Sequence, residues 1–358
     1  MESGRQGIGT VSIHFVSGVA IAASLPWGET FFRWAAALGC IALGLLWLLM
    51  RGRGGRLPAT MAALVLAGFF CYCCARTCTP LPSAPAWTVA ALGKFTDAID
   101  ACGLKHEGST ALLKALLAGR RDGLDSGTLE AFRRSGASHL LALSGLHLGV
   151  IYLIIKRLLF IIGNSRPARL TRSLLAVGLC TAYSAMTGFG ASVTRALLFI
   201  VLHECGTLLP GRRHSLAGTF CTAITIQLAA SPRSIETLSF QLSYLAMLGI
   251  VGIAPALRSF YPGDGRRRGP VKRIWDSAAL SVSCQITTAP LAWISFGSLP
   301  RHFLLTNLVA LPLTELLIVV SLPMTALDAA GACPDMLKGL SDFLAQALVW
   351  CLEVVSSM

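Results

Sequence analysis

Residues 303–323 read FLLTNLVALPLTELLIVVSLP, twenty-one residues with one charged side chain, Glu315. A run of this length spans the hydrocarbon of a bilayer as one helix, since about 20 residues at 1.5 Å each cover ~30 Å. Segments of similar character recur outward in both directions, at 11–25, 31–50, 59–78, 139–160, 172–188, 192–209, 215–230, 238–256, 275–296 and 337–355. The composition agrees. Of 358 residues 54% are hydrophobic and 13% charged, with a mean hydropathy of +0.67. A soluble domain carries about 25% charge, and one this apolar has no way to bury nearly all of its side chains. The sequence therefore predicts an all-α, polytopic transmembrane helical bundle of about eleven spans, within limits of nine to twelve.

The loops give an independent check. Arg51, Arg53 and Arg56 follow the second span, and Lys156, Arg157, Arg166, Arg169 and Arg172 surround the loop after the fourth. Arg212 and Arg213 follow the sixth, and Arg258, Arg266, Arg267, Arg268, Lys272 and Arg273 the eighth. Alternating spans put all four clusters on one side, which the positive-inside rule makes cytoplasmic. That expectation places the N-terminus in the cytoplasm and the C-terminus on the opposite side of the membrane. It also explains most of the net charge of +13 without nucleic acid.

Three regions follow: N-terminal helices over 1–78, an external segment over 79–138, and a helical domain over 139–358. The external segment opens with Pro80, Pro82 and Pro85, an extended linker. Over 108–134 it turns amphipathic, with Leu112, Leu113, Leu116 and Leu117 on one helical face, and is expected to lie on the membrane surface. The twelve cysteines are mostly single residues in apolar runs. Cys71, Cys73, Cys74 and Cys78 cluster without a nearby His or paired spacing, so no zinc site is assigned.

Polar residues inside such a chain carry the chemistry. In SGASHLLALSGLHLG (135–149), a continuous helix stacks His139, Leu143 and His147 on one face. Ser144 falls one turn before His147, and Gly145 and Gly149 form a small-residue pair that admits a neighbouring helix. Histidine within a membrane helix is costly and faces the bundle interior or a wet cavity. Two histidines glued to neighbouring helices is one reading; a polar pathway is the one taken here, because two His and a Ser share one stretch. In TGFGASVTRAL (187–197), Gly188 and Gly190 break one helix and Arg195 falls about one turn into the next. Its partner is an acid, a carbonyl, water or a passing anion, unless it snorkels to the interface. Gln241 and Asn307 are further intramembrane amides, and Pro290 and Pro312 free backbone carbonyls in mid-span. The motifs of soluble enzymes are missing and no cofactor is implied: His203-Glu204 lacks the second His of a zinc helix, and no P-loop or Gly-x-Ser-x-Gly elbow occurs.

The ordered blocks resemble the competence domain of the ComEC family. ALLAGRRDGLDSGTLEAFRRSGASHLLALSGLHLG (115–149) is followed by GFGASVTRA (188–196), SFQLSYLA (239–246), and QITTAPL, FGSLP and NLVALPL within 285–313. Arg120 and Ser239 depart from the family's usual residues. The resemblance implies a channel passing single-stranded DNA through the inner membrane in natural transformation. It assigns His139, Ser144, Gly145 and His147 to the central motif, Arg195 to an intramembrane arginine, Gln241 to an amide, and Pro290, Asn307 and Pro312 to the last block. Family members usually add an OB-fold and a metallo-β-lactamase-like domain. Only 79–105 is free for the first, and no His follows His302 for the second. The expectation is thus a channel portion, with no bound metal, working with a separate receptor, nuclease or cytoplasmic motor. The alternatives are an intramembrane serine protease, suggested by Ser144-Gly145, or another membrane transporter.

Overall fold

The computed structural model describes residues 2–25, 28, 31–32, 35, 57–77, 85–163, 165–208, 215–261, 269–297 and 302–357. Among them every regular element is a helix. Six are long and apolar enough to cross a membrane: Gly145–Ile162, Ala191–Leu208, Leu238–Ser259, Val271–Phe296, Phe303–Ala329 and Asp335–Ser357. Shorter apolar helices occupy Ile8–Ser24, Met61–Thr77 and Leu216–Ala230. The protein is an all-α polytopic bundle. The span read at 31–50, apart from residues 31, 32 and 35, the basic clusters at 51–56, 212–213 and 266–268, and Cys78 lie outside the described residues. Of the span read at 172–188, residues 172–186 fall in a helix, Arg166–Met186, whose opening turns carry Arg166, Arg169 and Arg172 and are too polar for lipid.

The chain divides into two units, Met1–Ser83 with Cys205–Tyr244, and Ala84–Glu204 with Leu245–Met358.

In the first unit, α1 (Glu2–Ser24) crosses α2 (Leu57–Thr77) at two glycines. A Cβ on Gly18 would fall 1.9 Å from Val65 O, and one on Gly68 2.0 Å from Phe15 O. Only residues without a side chain permit that backbone approach. Ser12 Oγ then donates to Cys221 O at 2.9 Å, tying α1 to the helix Leu216–Ala230.

The second unit begins with α3 (Ala86–Ala101), α4 (Glu107–Leu113, continued by a π turn Lys114–Ala118), α5 (Ser126–Arg134) and α6 (Ser138–Leu141). Then come α7 (Gly145–Leu158), α8 (Arg166–Met186) and α9 (Ala191–Leu208), whose last turn enters the first unit. The chain returns through the π turn Gly249–Ile253 to α10 (Pro270–Phe296), α11 (Phe303–Ala329) and α12 (Asp335–Ser357).

Leu112, Leu113, Leu116 and Leu117 are fully buried and share one core with Leu317, Ile318, Leu348 and Leu352. The amphipathic pattern identified a buried face correctly in kind, but protein covers it rather than a membrane surface. α3 and α4 form a hairpin along α11. Near its tip Cys102 Sγ lies 3.9 Å from Thr325 Oγ1, and beyond it Thr306 Oγ1 donates to Ser135 O at 2.8 Å. Thr306 and Thr325 are nineteen residues apart on α11, about 28 Å of helix, so this segment follows most of its length.

Candidate functional site

The central motif is not one helix. α6 ends at Leu141, Ala142 is extended (φ −82°, ψ 131°), and α7 restarts at Gly145 with Ser144 as its extended N-cap (φ −106°, ψ 164°). The shared face of His139, Leu143 and His147 is therefore corrected: spacing by four is compatible with a helix but does not require one. The break follows from Ser144, a residue type that favours the N-cap over the helix interior.

The break sorts the two histidines. His139 is exposed, and its Nδ1–H donates to Gly136 O at 3.0 Å. His147 is 1% exposed. The Ser144 backbone N–H donates to His147 Nδ1 at 3.3 Å, so the neutral ring carries its proton on Nε2. That Nε2 is buried and has no hydrogen-bond partner among the described residues, while Ser144 and His147 face each other as the two halves of a capping box.

α9 meets this break directly. Gly145 N–H donates to Ser192 Oγ at 3.3 Å. A Cβ on Gly145 would fall 3.0 Å from Arg195 Nη2 and 3.2 Å from Ala196 Cβ, which places the guanidinium beside the α7 N-terminus. The turn ahead of α9 is tight: Gly188 has φ 82° and Phe189, without glycine's freedom, has φ 49°. Phe189 N–H donates to Ser184 O at 2.8 Å, and Thr194 Oγ1 donates to Phe189 O at 2.9 Å. These bonds hold a backbone conformation that side chains disfavour. Two helix N-termini, each with the positive end of its dipole, thus converge with Arg195 and His147. Three further bonds fix the site: Arg121 Nε to Leu141 O at 3.1 Å, Tyr183 OH to Leu117 O at 2.7 Å, and Thr306 to Ser135.

The other residues distribute unevenly. Asn307 is half-buried in the first turns of α11, one residue past the Thr306 anchor. Pro290 and Pro312 sit within α10 and α11 and leave the carbonyls of Ile286 and Leu308 without a helical donor. Gln241 belongs to the first unit, where its Nε2 donates to Ile235 O at 2.8 Å. Gly149 and Gly190 meet nothing within 4 Å of an added Cβ, so neither admits a neighbouring helix there. Among the described residues no three His, Cys, Asp or Glu side chains gather to hold a metal ion.

One arrangement went unread in the sequence. Glu204, 2% exposed, accepts from Tyr152 OH, Lys156 Nζ and, at 2.5 Å, Ser173 Oγ. It locks α7, α8 and α9 together at the end opposite the histidine break. Tyr152 and Lys156, four apart on one face of α7, were the available signal.

A family described as competence protein matches residues 116–358. The chain is 28% identical to Competence protein ComA of Neisseria gonorrhoeae over 256 residues, 68% of this chain and 34% of that protein. It is 29% identical to ComE operon protein 3 of Bacillus subtilis over 143 residues, 40% of this chain and 18% of the relative. It therefore spans about a third or less of these relatives' lengths. No solved structure matches the chain. With the ordered blocks, the helical bundle and a match covering more than half of its length, the chain belongs to the competence protein family.

Proposed function

We propose that this protein forms a channel that passes single-stranded DNA across the bacterial inner membrane in natural transformation. The observation that carries the reading is the convergence of the α7 and α9 N-termini with Arg195 and the unspent Nε2–H of His147. Donors of this kind receive phosphodiester oxygens. A channel has to neutralise phosphates without trapping them, and a few scattered donors suit that better than a dense arginine ring. Its partners are single-stranded DNA and a DNA receptor, nuclease or cytoplasmic motor. The chain itself acts as a conduit and not as an enzyme. Deleting the gene from a competent host is expected to abolish uptake of added DNA, with recovery when this chain is returned. Undiminished transformation in the deletion strain contradicts the proposal.

The same reading sets the orientation. The turns joining α7 to α8 and leading into α10 carry Lys156, Arg157, Arg166, Arg169, Lys272 and Arg273 and face the cytoplasm, with the C-terminus in the periplasm. The α3–α4 hairpin then enters from the periplasmic side and returns to it. In a cysteine-free background, an impermeant thiol reagent added outside is expected to label a cysteine at Ala84 and to spare one at Arg157. The reverse pattern refutes this orientation.

A further inference from the structure

α7 and α11 enclose an open groove of about 410 Å³, lined by Gly145, Leu146, Gly149, Val150, Tyr152, Leu153 and Glu315. Its wall is apolar apart from Tyr152 and Glu315. Gly149 contributes empty space, since an added Cβ there meets nothing within 4 Å. Glu315 lies thirteen residues into α11 counting from Phe303, in the middle of a helix that crosses the membrane.

Among the described residues, Glu315 has no ion-pair or hydrogen-bond partner. The charged groups on the helices packed against α11 are engaged elsewhere or give it no contact. Lys114 bonds Asp100, Lys338 bonds Asp328, His106 bonds Asp342 and Lys156 bonds Glu204. Lys272 approaches Asp276. Among the described residues, His147, Lys94, Asp97, Arg157, Arg273, Asp335 and Glu353 make no ion pair with it. The contrast with Glu204 is direct: one intramembrane glutamate has its oxygens filled by three donors, the other has none.

An ionised carboxylate with neither partner nor water is far costlier in hydrocarbon than its neutral acid. We propose that Glu315 is a proton-binding site that opens to this groove, holding its proton as a neutral acid and releasing it when the groove hydrates. Tyr152 lines the same groove and donates its hydroxyl to Glu204. The groove therefore adjoins the network that ends at Lys156, whose side chain is 33% exposed. Proton occupancy of Glu315 is thereby placed next to the contact that holds α7 on α9.

A hydrophobic carbodiimide tests this on the full chain in native membranes. The neutral acid adds across one C=N bond: its proton goes to nitrogen and its oxygen bonds the central carbon. The resulting O-acylisourea rearranges to a stable N-acylurea with no atoms lost. Peptide mapping is expected to find the adduct on Glu315 and none on Glu204. Labelling falls as pH rises, because the reaction consumes the protonated acid. A water-soluble carbodiimide marks exposed Asp122 but leaves Glu315 unmodified. Gly149→Leu, which fills the groove from a position with open space, lowers the Glu315 adduct several-fold. The readout is an adduct on the chain itself and is independent of DNA uptake. No adduct on Glu315 at any pH, or one formed equally by the water-soluble reagent, overturns the proposal.

Discussion

Arg195→Leu is expected to lower DNA uptake about a hundredfold while the protein stays in the membrane at its normal level. The leucine removes the cation beside the α7 N-terminus, where Arg195 Nη2 lies 3.0 Å from the Cβ position of Gly145. A hydrogen bond to a charged group contributes about 1.5–3 kcal/mol, and each 1.4 kcal/mol is tenfold. Arg195→Lys keeps the charge and loses the fork geometry, so its uptake should fall between the two. His147→Leu removes a neutral donor that is already buried, and its effect is smaller, about tenfold. The double variant combines both losses. Labelled DNA uptake, normalised to membrane protein level, measures the series. Wild-type uptake by a well-expressed double variant would show that these side chains only hold the fold.

Glu204→Ala is expected to destabilise the second unit by about 3 kcal/mol. Removing one partner of a buried pair typically costs about 3–5 kcal/mol, because the other charge is left uncompensated. The lower figure applies here because the Lys156 side chain is 33% exposed and its ammonium can reach water. Tyr152 and Ser173 also lose their acceptor, and membrane hydrogen bonds of this kind contribute about 0.6–2 kcal/mol each. Glu204→Gln retains an acceptor oxygen and should lose about half as much. Thermal unfolding of the detergent-solubilised protein, followed by circular dichroism, checks the order wild type, Gln, Ala. An alanine variant as stable as the wild type would remove this network from the account of how α7, α8 and α9 are held.

The spans were legible because lipid imposes a simple constraint: about twenty apolar residues with few charges. The run from Phe303 shows it plainly. What these spans hold together was less legible. Leu112 to Leu117 announced a buried face, but a hydrophobic pattern does not say whether lipid or Leu317 and Leu348 will cover it. The same limit applies to glycine. Gly145 and Gly149 look alike in sequence, yet one supports Arg195 and the other opens onto empty space, because the difference lies on α9 and α11. Gly18 and Gly68, the closest backbone crossings, have partners far along the chain and carry no local signal.

In the central motif the residue types were legible and their geometry was not. Four-residue spacing suggested a continuous helix, whereas Ser144 followed by Gly145 is a helix start, and that local preference prevailed. The consequence reaches function, since a continuous helix would have put His139 and His147 in one environment. The break leaves His139 exposed, buries His147, and turns a helix N-terminus toward Arg195. Glu204 shows the opposite limit: nothing along its own helix points to Lys156, forty-eight residues earlier.

The central claim is that a DNA strand passes the junction of α7 and α9, and contact between strand and chain tests it most directly. A photo-crosslinking residue at Ala142 or Phe189, both exposed beside the junction, is illuminated while labelled single-stranded DNA is being taken up. Ile161 and Ile294, 88% and 80% exposed on helices of lipid-facing character, serve as controls. The account predicts DNA adducts at Ala142 and Phe189 and none at Ile161 or Ile294. Adducts at the control positions alone, or at all four equally, would contradict it.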